Sequence, residues 1–398
     1  MARRGLRLFA WIASALVGAA CEGERDDVCP VMVEPWAEGD FEGFQLRCDR
    51  VPELCDLPVE SRVAEADLEL AIDVVFVGDG YEEGAIEAYR ERVTTLVEEL
   101  SNDRDTIVGR DPGLFNFHRV DLVTATSDVE SRPLRSCVTE DGGAYFAGGD
   151  DLRVARAAAN APDVDLVVVI TAGSSESRGN AGQSVFGTDV IRMRHENSYR
   201  MLTHEMGHAL VGLGDEYVDF ERRHYLADKY ETWTGNPLPP NLSLSPDEDW
   251  GGLVEGAVEG GGRFAYGVYR PTNRCLMLDS EAEFCPVCSA AIDDVITARR
   301  GRLDGPPRCG LAVGHGVEGG PREVAFYGRD GNGLRFLSFG VDGQEPIQND
   351  LANFRPLAPR LPVWFEIGSS LGEDATTVSV TCVDDGGETS TSTLDLAR

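Results

Sequence analysis

His204-Glu205-Met206-Gly207-His208 is the stretch of this chain best equipped to do chemistry. On an α-helix, positions four apart lie on one face one turn apart, so His204 and His208 can offer two imidazoles to one ion while Glu205 points beside it. That spacing suits zinc, and a catalytic zinc takes three protein ligands and keeps a position for water. Zinc draws the pKa of such a water toward neutrality, which lets Glu205 take its proton as general base and pass it to a leaving amine. The reaction class is peptide-bond hydrolysis. A purely structural zinc site would close with a fourth protein ligand and would not need Glu205. A chance pair of satisfied histidines is the bland alternative, and only six histidines in 398 residues make that coincidence rare.

The third ligand has to come from farther along the chain. In the metzincin spacing it lies ten residues beyond the first histidine, where this chain has Gly214, which carries no side chain. The turn glycine, Gly212, is displaced by one position, and the residue after Gly214 is Asp215. A turn one residue longer returns Asp215 to the metal, with Glu216 as the alternative and a more distant donor as the third option. Tyr217 and Tyr269 are hydroxyl donors for a developing oxyanion or for substrate, although most tyrosines serve packing alone.

These residues need a scaffold, and the pattern around them describes one. Residues 68–81 read as a buried strand ending in a Gly-Asp-Gly turn. Ile86, Tyr89, Val93, Leu96, Val97 and Leu100 then form one helical stripe. Residues 115–125 alternate as a strand, 150–160 are Ala-rich and helical, and 164–172 form a continuous apolar strand. Strands alternating with helices imply an α/β layered core. Residues 183–191 read as a short strand before the helix that carries His204, and 235–262 read as a Gly- and Pro-rich loop. From about residue 305 the pattern becomes alternating segments separated by Gly, Asp and Pro, as in an all-β unit. The stretch 328–333, Gly-Arg-Asp-Gly-Asn-Gly, lacks the spaced carboxylates of a calcium loop and reads as a hairpin turn.

Composition sets the surroundings. With 69 acidic against 36 basic residues the formal charge is −33, which repels nucleic acid and anionic lipid surfaces. Arg3, Arg4 and Arg7 precede an apolar run from Leu8 to Val17, and small residues then lead to Cys21, the layout of an export signal. Cys21 in that place reads as a lipidation site, with ordinary cleavage after Ala20 and an uncleaved anchor as the alternatives; the apolar run is short for a membrane span, so membrane contact is expected only through an N-terminal lipid. Residues 1–21 are therefore read as signal, 22–62 as a short tether and lead-in segment, 63–304 as the catalytic domain and 305–398 as a small β-sandwich-like domain. The protein is expected outside the cytoplasm, in the cell envelope or beyond it. Ten cysteines fit an oxidising location. A Cys309–Cys382 bridge and a disulfide within Cys275, Cys285 and Cys288 are expected; half of a zinc site at Cys285-Pro286-Val287-Cys288 lacks a matching second pair.

The segments 73–81, 115–123, 204–217, 269–277 and 284–288, taken in order, resemble the M64 family of bacterial metallopeptidases, named for immunoglobulin A peptidases. That resemblance implies a zincin-like α/β (α+β) catalytic domain with a mixed sheet and an active-site helix, followed here by the C-terminal all-β domain. It implies Zn2+ as cofactor and a protein or peptide as substrate. It makes Met277 the methionine of a turn beneath the metal, against the plainer reading of a core methionine, and 183–191 the edge strand on which substrate adds, against a plain loop. The larger relatives carry a substantial β-domain before the catalytic one, for which residues 22–62 leave little room. Two other functions compete: a surface binding or adhesion protein on a peptidase-derived scaffold, and a zinc amidase acting on cell-wall peptides. Glu205 argues against the first, since a chain released from catalysis has no physical need of a base beside two imidazoles.

Overall fold

The computed structural model describes residues 40–42, 45–63, 71–125, 132–141, 144–172, 182–184, 190–218, 232–234 and 238–299, and beyond them 308–315, 322–329, 334–341, 347–350, 363–371, 376–384 and 389–395. Cys21 and the signal lie outside the described residues.

Strands β1 (Phe41–Glu42) and β2 (Gln45–Leu46) form a small hairpin. There follow β3 (Val59–Arg62), β4 (Ile72–Asp79) and β5 (Phe115–Val120), a separate hairpin of β6 (Cys137–Asp141) and β7 (Ala144–Gly148), and then β8 (Leu166–Thr171), β9 (Gly182–Ser184) and β10 (Val190–Arg194). The central sheet has the order β3-β5-β4-β8-β10-β9. Its inner four strands are parallel, and both edges are antiparallel. The Val- and Ile-rich strands β4, β8 and β10 are buried along their whole length, as expected when both faces of a parallel sheet are covered.

The two faces build two cores. Val74 and Phe76 point into the larger one, with the helix Ile86–Asn102, whose buried residues are the stripe read from sequence, and with the helices that carry the site. Val75 and Val77 point the other way, toward the helix Asp151–Ala158 and Leu46, Val51 and Leu54 of the lead-in segment, which the Cys48–Cys55 disulfide closes. At one edge, His118 ties three strands: its Nε2 lies 2.7 Å from Asp73 Oδ1 on β4 and its Nδ1 2.8 Å from Ser61 Oγ on β3. Behind the sheet, Arg299 ends the helix Pro286–Arg299 with a 3.1 Å buried ion pair to Asp165.

After β10 come the site helix Tyr199–Met206, β11 (Thr232–Thr234), the short helix Pro246–Asp249, and a hairpin of β12 (Val258–Gly261) and β13 (Phe264–Arg270); the short helix and β12 fall inside the 235–262 stretch expected to be loop, and β13 follows it. The hairpin is a correction. Gly260, Gly262 and Gly267 at positive φ and a bulge allow its turns, so glycine there shapes strands instead of breaking them. The remaining strands are β14 (Arg308–His315), β15 (Arg322–Arg329), β16 (Leu334–Val341), β17 (Ile347–Asp350), β18 (Val363–Leu371), β19 (Thr377–Asp384) and β20 (Thr389–Asp395). They lie in two four-stranded sheets, β11-β14-β15-β18 and β17-β16-β19-β20. Residues 330–333 themselves lie outside the described residues. Of the stretch 328–333 expected to be a hairpin turn, only Gly328 and Arg329, the end of β15, are described, and β15 and β16 on either side of it belong to different sheets. Cys382, on β19, is disulfide-bonded; the side chain of Cys309, its expected partner, lies outside the described residues.

Candidate metal centre

Ser198 caps the site helix, accepting the Met201 N–H at 3.2 Å, and the helix runs to Met206 before widening into a π-helical end, Gly207–Val211. Gly212 closes it at φ 71°, with its N–H on the carbonyls of Gly207 and His208. The π turn absorbs the extra residue that the spacing implied, and glycine permits the left-handed exit.

Three groups converge there. His204 Nε2 and His208 Nε2 are 3.1 Å apart, and Asp215 Oδ1 stands 3.1 Å from the second and 3.4 Å from the first. His204 Nδ1 lies 3.0 Å from the Leu276 carbonyl oxygen and His208 Nδ1 2.6 Å from that of Leu213. A carbonyl only accepts, so both Nδ1 atoms carry the proton and both Nε2 atoms keep a lone pair. Two lone pairs and a carboxylate oxygen facing one another at such distances repel unless a proton or a metal cation stands among them. Donors about 2.0–2.1 Å from a tetrahedral zinc stand about 3.3–3.4 Å from each other, close to the separations found, so the residues present fit a zinc ion. Burial works against charge on both partners here. The Asp215 carboxylate and Glu205 nevertheless hold the His204 imidazolium up at about 9, and His208 and His204 hold Asp215 well below the usual carboxylate range.

Asp215 is itself held. Arg263 Nη2 and Nε donate to its Oδ2 at 3.2 and 3.3 Å, and Nη2 also donates to Tyr217 Oη at 3.1 Å. Tyr217 thus stands beside Asp215. Its phenol is pushed up by burial and by the Asp215 charge, so it stays protonated. Tyr269 packs against the large core and pairs through its backbone with Ser243; among the described residues its hydroxyl makes no hydrogen bond to the cluster. Glu205 is buried beside His204. Met277 lies beneath the helix: a Cβ on Gly207 would come within 3.0 Å of its Sδ, and its carbonyl accepts the Glu216 N–H at 2.9 Å.

Glu216 points away from the histidines. Its Oε1 accepts from Asn241 Nδ2 at 3.0 Å and lies 3.3 Å from Cys288 Sγ, and burial pushes its carboxyl up to about 7. The disulfide expected within Cys275, Cys285 and Cys288 is absent: all three are free and buried, and the sulfurs of Cys275 and Cys288 are 3.6 Å apart. The stretch 183–191 is not one strand. Gln183 and Ser184 end β9 at the sheet edge, Val190 and Ile191 open its antiparallel partner β10, and 185–189 lie outside the described residues.

Sequence reasoning missed Arg263 and Asn241. Arg263 meets Asp215 from 48 residues away, through a non-glycine φ of 72°, and Asn241 bridges Gly214 and Glu216 from 27 and 25 residues away. Neither lies in a periodic or motif context that could have flagged it. No curated protein matches the chain. The family model of IgA Peptidase M64 matches residues 63–255 and 243–296, a span that holds His204, Glu205, His208, Asp215 and Met277. With more than half of its length covered by that match, the chain belongs to the M64 family of metallopeptidases.

Proposed function

We propose that this chain is an exported zinc endopeptidase in which His204, His208 and Asp215 hold the metal and Glu205 is the general base. The observation that carries this reading is the convergence of Nε2, Nε2 and Oδ1 within 3.1–3.4 Å, with both imidazole tautomers set by backbone carbonyls. A zinc ion there would supply a Lewis acid and a water acidified toward neutrality. Glu205 accepts the proton of the attacking water on its carboxylate and returns it to the amine nitrogen of the departing peptide. Arg263 and Tyr217 hold Asp215 Oδ2, so that Oδ1 stays turned to the histidines. Burial of Glu205 and of the donors keeps bulk water from screening these charges.

Substrate would bind as an added strand along β9, which lies at the sheet edge and runs against the site helix. The mixed sheet, antiparallel edge strand and site helix support a zincin-like reading of the 63–304 unit, and strands β14–β20, which β11 joins at the edge of one sheet, support a β-sandwich-like unit at 305–398 closed by Cys309–Cys382. The disulfides at Cys48–Cys55 and Cys382 suit an oxidising compartment, in keeping with export and a lipid on Cys21.

The test is hydrolysis of a mixed protein substrate by residues 22–398, beside Glu205→Gln and a chelator-stripped sample re-supplied with zinc. Loss of a general base should lower the rate by about 10²–10⁴ with metal content unchanged. Zinc should restore the stripped sample. Glu205→Gln within tenfold of the parent would remove Glu205 from its role, and activity that survives complete chelation would remove the metal. A chain active on cell-wall peptides and inert on proteins would turn the reading to an amidase.

A further inference from the structure

Glu216, Cys275, Cys285 and Cys288 form a second cluster beside the first: one oxygen and three sulfurs, all buried and within 4.8 Å of one another. We propose that these four residues bind a second metal ion, a structural zinc, which fastens the floor of the active site.

Donor geometry is the first support. Sulfurs about 2.3 Å from a tetrahedral zinc stand about 3.8 Å apart, and a sulfur and a carboxylate oxygen about 3.5 Å. Cys275 Sγ and Cys288 Sγ are 3.6 Å apart, and Glu216 Oε1 is 3.3 Å from Cys288 Sγ and 3.9 Å from Cys285 Sγ. A disulfide would bring two sulfurs to about 2.05 Å.

Charge is the second. Glu216 is fully buried, its Oε2 has no hydrogen-bond partner, and among the described residues no cationic side chain forms an ion pair with it. Arg270 feels the Glu216 charge without pairing with it, and its Nη1 donates to the carbonyls of Glu259 and Gly260. A buried carboxyl whose Oε1 lies against the sulfurs of Cys285 and Cys288, and whose Oε2 has no partner, is a group that a cation would stabilise.

The backbone is the third. The Cys285 N–H points at Cys275 Sγ at 3.4 Å and the Cys288 N–H at Cys285 Sγ at 3.5 Å, where Pro286 opens the last helix. N–H groups aimed at sulfur stabilise thiolates, the form in which cysteine binds metal. A Cys-x2-Cys turn, one upstream cysteine and one carboxylate close a four-ligand sphere with no position for water, as structural sites do.

Two neighbours give the site its purpose. Glu216 follows Asp215 directly, and Cys275 precedes Leu276, whose carbonyl fixes the His204 tautomer. An ion joining Glu216 to Cys275 clamps both approaches to the first metal centre. It also keeps three thiols from oxidation in the compartment proposed above. The proposal stands whether or not the first centre is catalytic.

The experiment is metal counting by native mass spectrometry on residues 22–398, with absorption spectra after replacement by Co2+ alone. Thiolate ligands give cobalt an intense near-ultraviolet charge-transfer band that imidazoles and carboxylates do not. The parent should bind two ions and show that band. His204→Ala should lose one ion and keep the band, and Cys288→Ser should lose one ion and the band. Should Cys288→Ser fail to fold, the parent decides alone: three alkylatable thiols exposed only after chelation support the site. A band-free cobalt protein, or mass mapping of a disulfide among Cys275, Cys285 and Cys288, would overturn it. Failure of the first centre would look different: the band present with a single ion bound and no loss on His204→Ala.

Discussion

Gly207→Ala puts the packing beneath the metal centre to a test of sign. Within a helix, alanine is favoured over glycine by about 1 kcal/mol, so helix propensity alone makes the variant more stable. Packing says the reverse. The new methyl would meet Met277 Sδ at 3.0 Å and Leu213 Cδ1 at 3.3 Å, and both belong to the fully buried core. Forcing a methyl into such a site costs about 1–3 kcal/mol. The clash should win, with a net loss of about 1 kcal/mol. The damage extends beyond stability, because Met277 follows Leu276, whose carbonyl holds His204. A displacement of about 1 Å at that carbonyl turns the imidazole, and misplacements of that size cost about 10² in rate. The assay is a double-mutant cycle with Met277→Ala, read by urea unfolding at one fixed zinc concentration. On the Met277→Ala background the methyl has room, so Gly207→Ala should be neutral or stabilising, with a coupling of about 1–3 kcal/mol. A stabilised Gly207→Ala with no coupling to Met277 would refute the reasoning.

Other perturbations have equally definite outcomes. Arg299→Met leaves Asp165 buried without its cation and should cost about 3–5 kcal/mol, measured by chemical unfolding; a loss under 1 kcal/mol would mean that the pair is solvated. Asp215→Ala should abolish zinc binding at the histidines and with it hydrolysis, whereas an active variant would put the third ligand elsewhere. Metal uptake should release protons: His204 is held up to about 9 in the metal-free site and must be neutral to ligate, so below pH 9 each ion displaces a proton. Zinc affinity, measured by chelator competition, should therefore climb as pH rises from 6 toward 9, and a flat profile would contradict the His204 environment described.

The sequence was legible wherever a local period carried the information. The i, i+4 spacing of His204 and His208 and the stripe from Ile86 to Leu100 are properties of one helix, and the strand cores at 72–79, 115–120 and 166–171 are runs of apolar residues. β3 escaped because an exposed edge strand of sequence Val-Glu-Ser-Arg has no apolar alternation to show. The grouping of the three cysteines with Glu216 escaped because two cysteines three apart suggest a partner pair of the same kind, while the fourth member of the group is a carboxylate 69 residues before Cys285. Asp215 was reachable by counting through Gly212, since a π turn adds a whole residue to the helix end; Arg263, which steadies it, depends on tertiary closure alone.

The hydrogen bond from His204 to Leu276 spans 72 positions of chain, and that separation sets a schedule for biosynthesis. A nascent or truncated polypeptide ending anywhere between Tyr217 and Cys275 already carries the whole segment from His204 to Asp215, yet it lacks the carbonyl that orients the first imidazole and the methionine that supports its helix. Such a fragment holds His204, His208 and Asp215 without their alignment, which is complete only once the later third of the chain has folded back.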